Sequence, residues 1–241
     1  MKYAVLSDVH GNLNALRSVM RSIFEIGVDG CILLGDLVDY GMRSNECIEL
    51  LKSSDVDIIC NIWGNHEYSI MNRTYDRFSS DRGKVSAMHT RDILSSDSMT
   101  YLVEAMEHSG TFEFKIGSKS CLALHGSISD PLWGTLDTSD FDEAYGAFDY
   151  VFSGHSHVPH YFERFYVCDN PETRNKKKTV FVNPGSVGQP RNLDSRSQYA
   201  IVDFATGDVH MMKAEYDISD EQSYFDGSVD DFYRSRISRG V

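Results

Sequence analysis

The sequence carries no CxxC pair, no apolar run near the roughly 18 residues that span a bilayer, little proline and no surplus of basic side chains. Each lack excludes something. Cys31, Cys47, Cys60, Cys121 and Cys168 stand apart, and an odd number cannot pair fully within one chain, so they read as reduced thiols buried like small hydrophobes in or beside strands. The opening MKYAVLSDVH meets a charge after a short apolar run and has no signal-peptide core, which predicts a cytoplasmic protein with no membrane partner. Five prolines and 18 glycines are scattered, which excludes collagen-like and low-complexity chains. Acidic residues outnumber basic ones, 36 to 23, for a formal charge of -13; such a field repels long polyanions, so no long nucleic acid is expected as a partner. A small anion drawn in by a local cationic site stays compatible with it.

What is present reads as globular, with 41% apolar and 24% charged residues over 241 positions, enough for one large core. The chain is read as one domain, 1–241, whose acidic, tyrosine-bearing tail from about residue 215 is expected to be a loosely docked helix. Residues 3–7 form an apolar strand, and after Asn12 the spacing of Leu13, Leu16, Met20, Ile23 and Phe24 predicts a helix with those residues on its apolar face. Residues 31–34 give the next strand, and a strand, helix, strand unit makes parallel neighbours. A helix at 46–51 and a strand at 57–62 extend that sheet. A weak helical pattern covers 81–94; strands at 111–114 and 120–125 flank a turn at Gly117 and Ser118, and 149–153 is a short strand. Strands at 161–167, 179–182, 198–204 and 209–213 look antiparallel, the last two joined around Thr206 and Gly207, and a second sheet packed on the first would bury them. The basic run RNKKK, 174–178, reads as a solvated hairpin tip.

The chemistry gathers where apolar strands give way to glycine-bearing loops. Asp8 and His10 flank Val9 after the first strand, and residues two apart on extended chain point to one side, so one ion could take both. Asp36 follows Gly35; Asn65, His66 and Glu67 follow Gly64; His125 precedes Gly126; His155 and His157 bracket Ser156 after Gly154. These are the carboxyl ends of the strands, where open sheets hold ligands, and a neighbouring glycine lets backbone turn sharply and approach an ion. A lone DxH or HxH is weak. Five of the nine histidines in the order DVH, GD, GNHE, HG, GHSH are not. Imidazole, carboxylate and amide oxygen suit manganese, iron, cobalt, nickel or zinc rather than magnesium or calcium, and the lack of thiolates argues against a structural zinc site.

These motifs, DVHGN (8–12), GDLVDYG (35–41), GNHE (64–67), HGS (125–127), GHSH (154–157) and NPGSVGQPR (183–191), resemble those of the calcineurin-like metallophosphoesterases, within them the small single-domain bacterial and archaeal phosphodiesterases. The resemblance runs from residue 1 to about 204. It implies an α/β fold, a four-layer α-β-β-α sandwich of two mixed sheets flanked by helices. It implies that Asp8, His10, Asp36 and His157 hold one metal ion and Asp36, Asn65, His125 and His155 a second, manganese first among the candidates, with Asp36 bridging. Two such ions share a hydroxide that attacks phosphorus in line. His66 would protonate or stabilise the leaving oxygen, and Asp39 would orient it.

Substrate contacts are expected from Arg191 and Asn183 in the 183–191 loop, and from Trp133 or nearby Tyr145 stacking on a base. The implied function is hydrolysis of small phosphodiesters or phosphomonoesters, among them nucleotides or dinucleoside polyphosphates, since the subgroup includes enzymes similar to diadenosine polyphosphate hydrolases. Serine/threonine protein phosphatases of the superfamily carry arginine where this chain has Tyr40, which argues against a phosphoprotein substrate. Two alternatives are a nuclease, which would want a basic groove, and a non-catalytic scaffold like the retromer subunit of this fold, which departs at the histidine that His66 retains. A homo-oligomer stays open.

Overall fold

The computed structural model describes residues 1–140, 142–172, 174 and 176–241. β1 (Lys2–Leu6) alternates its buried side chains to both faces, and α1 (Leu13–Ile26) follows, started by Asn12, whose side chain accepts from Ala15 N at 3.1 Å. Removing such a cap costs about 1 kcal/mol. Gly27 ends the helix at φ 71°, in the left-handed region that glycine enters freely. Leu13, Ala15, Leu16, Val19 and Ile23 form its buried stripe. Phe24, expected on that stripe, is instead 81% exposed. It stands one residue past Ile23, and the roughly 100° step of a helix carries it off the apolar face.

β2 (Gly30–Leu33) lies parallel to β1, α2 (Ser44–Lys52) crosses over, and β3 (Ile58–Asn61) lies parallel to β2. Three helices follow: α3 (Asn65–Asn72), α4 (Asp81–Ile93) and α5 (Ser96–Glu104). Only α4 is predicted by the sequence pattern; α3 is hidden because it begins inside the GNHE motif. β4 (Thr111–Ile116) and β5 (Lys119–Leu124) pair as a hairpin about Gly117, and β6 (Tyr150–Phe152) adds parallel to β5. β7 (His160–Phe165) pairs antiparallel with β8 (Lys178–Asn183), itself parallel to β6. β9 (Ser197–Asp203) and β10 (Asp208–Ala214) return to the first sheet, antiparallel.

Two mixed sheets result, ordered β10-β9-β1-β2-β3 and β4-β5-β6-β8-β7. The two-residue alternation of strands sorts the core into layers. Ala4, Leu6, Leu33 and Ile201 face the helices; Val5, Ile32 and Val202 face the second sheet, where they meet Ala123, Phe152 and Val182. Leu122, Val151 and Phe181 point outward under Leu136 and Tyr145, so the fourth layer is a loop with one 3-10 turn at Glu143–Ala147. Cys31, Cys47, Cys60 and Cys121 are buried as expected, while Cys168 is partly exposed.

The tail differs from the expected loose helix. It forms two short helices, α6 (Ile218–Ser223) and α7 (Asp231–Arg236), with Glu221, Tyr233 and Arg236 buried. The cause is specific: Glu221 pairs with buried Arg43, whose guanidinium lies 3.9 Å over the Tyr224 ring, and Tyr233 stacks on Tyr40 at 4.4 Å. The basic run precedes and enters β8, with Asn175 outside the described residues. Among the described residues no helix is long and apolar enough to cross a membrane.

Candidate metal centre

The strands β1, β2 and β6 each end in a loop of unusual backbone. Asp8, His10, Asp36, Asp39, Tyr40, His155 and His157 all have φ between 49° and 78°, where non-glycine residues carry strain of about 1 kcal/mol or more apiece. Surrounding structure holds them there. The Glu67 carboxylate, fully buried, accepts from Asp36 N, Leu37 N, Val38 N and Gly64 N at 2.7–3.1 Å. It binds the second-strand loop to the third. No side chain fits between those loops, since a Cβ on Gly64 would stand 2.1 Å from Asp36 Oδ1. Likewise a Cβ on Gly188 would fall 1.8 Å from Val9 O, so the 183–191 loop lies directly on the Asp8–His10 turn. Sequence reasoning placed Glu67 in the motif without a role; its only signal was a carboxylate three residues into a helix start.

The loops bring Asp8, His10, Asp36 and His157 together with donor atoms within 4.8 Å, and Asp36, His125 and His155 likewise. Asn65 Oδ1 joins the second group, 3.0 Å from His125 Nε2 and 2.9 Å from His155 Nδ1. All seven expected ligand residues thus converge, around Asp36.

The protonation pattern tests whether cations fit. His10 Nδ1 and His157 Nδ1 each face a carbonyl, Val38 O at 3.2 Å and Gln189 O at 2.7 Å, so in the neutral ring that nitrogen holds the proton. Both Nε2 atoms then present lone pairs, and they sit 3.2 Å apart. Asp8 Oδ1, buried and without a hydrogen-bond partner, is 3.2 Å from His157 Nε2. Acceptors facing acceptors in a buried site repel unless a cation lies among them. Burial keeps His10, His155 and His157 neutral, His155 down to about 4. His125 differs: burial opposes its charge, yet the Asp36 carboxylate at 3.3 Å raises it to about 9. The charge that draws a proton onto His125 would draw a divalent ion. The donor set fits metal.

His66 stands apart from the ligands. Its Nδ1 is 2.6 Å from Asp39 Oδ2 and its Nε2 3.8 Å from Asp36 Oδ2. Burial works against its charge, but the Asp36 and Asp39 carboxylates outweigh it and raise the imidazole above its ordinary value. Asp39 is itself held by Ser86 Oγ at 2.6 Å and Thr90 Oγ1 at 3.0 Å, one turn apart on α4. Neither was singled out in sequence, because hydroxyls on a weak helical pattern carry no signal of their own.

A cleft of about 270 Å³ opens here, lined by Asp36, Asn65, His66, His155 and His157, by the rings of Tyr40, Phe78 and Trp133, and by Arg77 and Arg191. A larger cavity, about 450 Å³, lies between Lys119 and Lys178 and contains none of these groups, so chemistry rather than volume marks the site. Of the four residues expected to contact substrate, Trp133 and Arg191 line the cleft, whereas Asn183 and Tyr145 do not. The Asn183 amide donates to Gly154 O and Ser156 Oγ, which makes it a brace for the GHSH loop. Tyr145 is fully buried, its hydroxyl donating to Asp140 and accepting from Ile128 N. Arg77, Phe78 and Ser79 are cleft residues that sequence reasoning missed.

Two facing mixed sheets with this donor set at their carboxyl edge have the metallophosphoesterase fold. The chain belongs to the calcineurin-like phosphoesterase superfamily, whose domain matches residues 1–207. An uncharacterized protein of Methanocaldococcus jannaschii is 29% identical over 220 residues, 89% of this chain and 88% of the relative. A metallophosphoesterase from Sphaerobacter thermophilus superposes with a TM-score of 0.74 at 27% identity, covering 100% of this chain and 99% of that one. A hypothetical protein from Pyrococcus horikoshii shares the fold at a TM-score of 0.78 and 20% identity, covering 100% and 98%.

Proposed function

We propose that the protein hydrolyses small phosphodiesters or phosphomonoesters with two divalent metal ions, manganese first among the candidates. The observation that carries this is the confrontation of lone pairs at His10, His157 and Asp8 beside a second cluster sharing Asp36. Asp8, His10, Asp36 and His157 would hold one ion, and Asp36, Asn65, His125 and His155 the other. Such a pair supplies a water activated near neutral pH and neutralises charge on phosphoryl oxygens.

His66, raised by its carboxylate neighbours, brings a proton to the leaving oxygen, and Asp39 keeps Nδ1 engaged so that Nε2 is the atom presented. Arg191 receives a phosphoryl oxygen and Trp133 flanks the leaving group. The size of the cleft and the overall charge favour small soluble substrates, nucleotides and dinucleoside polyphosphates among them. A binding-only scaffold has no use for the His66–Asp39 pair.

Purified protein assayed with a nitrophenyl phosphodiester and monoester, with and without manganese, tests the reading. Metal-dependent release of nitrophenol is expected; no turnover of either ester by metal-loaded protein would overturn it.

A further inference from the structure

A line of rings runs from the tail into the cleft. Tyr233 on α7, 2% exposed, stacks on Tyr40 with centroids 4.4 Å and planes 17° apart. The same Tyr40 ring meets His66 edge-on at 4.4 Å and 71°, and His10 at 4.6 Å. Phe78 also packs on His66, at 5.0 Å and 66°. The Nδ1–H of His66 donates to Asp39, but one such bond leaves an imidazole free to rock about it. The ring contacts remove that freedom.

Tyr40 itself has to be held. Asp39 and Tyr40 are consecutive residues in the left-handed region, at φ 78° and 62°, and neither is glycine. Such a turn relaxes unless its surroundings over-determine it. Ser86 and Thr90 of α4 fix the Asp39 carboxylate. Among the described residues the rings on Tyr40 are His10 and His66, which belong to the site, and Tyr233, which supports it from outside. α4 grips that outside support too: the Arg82 guanidinium lies 3.9 Å over the Phe232 ring, and His89 Nε2 is 3.1 Å from Ser228 Oγ. The helix that fixes Asp39 therefore also fixes the segment that carries Tyr233. Nor does the tail depend on the stack alone to stay docked, since Glu221 pairs with Arg43 and Leu193 N donates to Gly240 O at 2.7 Å.

We infer that Tyr233 is a positioning residue: by stacking on Tyr40 it holds the strained Asp39–Tyr40 turn and so keeps the His66 imidazole aimed at the leaving oxygen. The tail is then part of the working site, although α7 lies beyond residues 1–207, which the superfamily domain matches. A shift of about 1 Å in a reacting group can cost about 100-fold in rate, so a stack outside the cleft reaches the chemistry. What serves is the flat ring and not the hydroxyl, so phenylalanine should substitute for Tyr233 and leucine should not. The inference rests on the phosphoesterase reading for the role of His66, but one arm of its test does not.

Manganese-loaded wild type, Tyr233→Leu and Tyr233→Phe are assayed on a nitrophenyl ester and on the matching phenyl ester, whose more basic leaving oxygen depends more on a delivered proton. The ratio of the two kcat/KM values cancels any inactive fraction. Tyr233→Leu should widen it by about tenfold, and Tyr233→Phe should recover most of that change. Equal loss on both esters marks a merely structural role and overturns the inference. If the Leu variant does not fold, Arg82→Ala, at an exposed position under α7, takes its place: a ratio widened about twofold or more is expected, and an unchanged one overturns the inference. The second arm needs no turnover. In metal-free protein the His66 Nδ1 proton, identified by loss of its downfield NMR signal in His66→Ala, should exchange with water at least about tenfold faster in Tyr233→Leu than in wild type. Equal exchange overturns the inference. Wild type that cleaves neither ester sinks the phosphoesterase reading instead, and the exchange rates still decide whether Tyr233 positions His66.

Discussion

Asp39 holds His66 by a single 2.6 Å contact between Oδ2 and Nδ1, and Ser86 and Thr90 engage its other oxygen, so the imidazole is positioned through a carboxylate fixed to α4. If that chain of contacts serves proton delivery, His66→Ala keeps both metals by elemental analysis and lowers kcat by about 100-fold or more. Asp39→Asn lowers kcat in the same direction. Loss of metal from His66→Ala would reassign the residue to the ligands.

Asp36 stands in both donor clusters. Asp36→Ala is therefore expected to lose metal at both sites rather than one, read as ions per chain. Chelation of wild type should lower Tm, and manganese should restore it; bound ions at 100 times Kd stabilise by about 2.7 kcal/mol. A Tm indifferent to metal would argue that the lone-pair cluster is relieved some other way.

Glu67 accepts four backbone N–H groups in a fully buried position. Glu67→Ala strands those donors and should destabilise by at least about 3 kcal/mol in urea melts, while releasing the Asp36 loop and its metal. A stable, metal-replete alanine variant would show that the loop holds itself.

Asp130 ties Arg77 and Trp133 to one side of the cleft, accepting from Arg77 at 2.6 Å and from Trp133 N at 3.1 Å. Burial opposes its ionisation, but Arg77 and the Trp133 N–H outweigh it, so the carboxyl titrates below its ordinary value. A depressed carboxyl favours the folded state once ionised: the contribution is present above about pH 4 and is lost as pH falls through the lower folded value. It is small, because the side chain is 37% exposed. Asp130→Asn should flatten that part of the acid limb and leave Tm near neutrality almost unchanged.

Glu221 is the tail's anchor, paired with Arg43 and accepting from Asn14 N at 3.0 Å. Glu221→Ala leaves Arg43 buried and unpaired, a loss of about 3–5 kcal/mol. Limited proteolysis should then cut near residue 220 before the body unfolds; resistance equal to wild type would mean that Tyr233 alone secures the tail.

Most strands and the donor residues were legible because their signals are local. Alternation in residues 3–7 and 198–204 marks sheet faces whatever lies beyond them, and ligand residues sit beside glycines at strand ends. Phe24 misled because an apolar residue adjacent to a stripe looks the same whether it is core or surface. The tail misled because its acidic composition resembles solvated chain, whereas its docking depends on three residues, Glu221, Tyr224 and Tyr233, each needing a distant partner.

By itself the sequence determined which side chains end each motif-bearing strand and where the strands and the helices α1, α2 and α4 lie, since helix and strand periodicity act over a few residues. Only the tertiary structure decided that His10 meets His157 across 147 residues, that Glu67 turns inward to clasp another loop, and that Glu221 of the tail reaches buried Arg43. Those meetings follow from sheet order and from the stacking of one sheet on the other, and such non-local packing leaves no periodic trace in the chain.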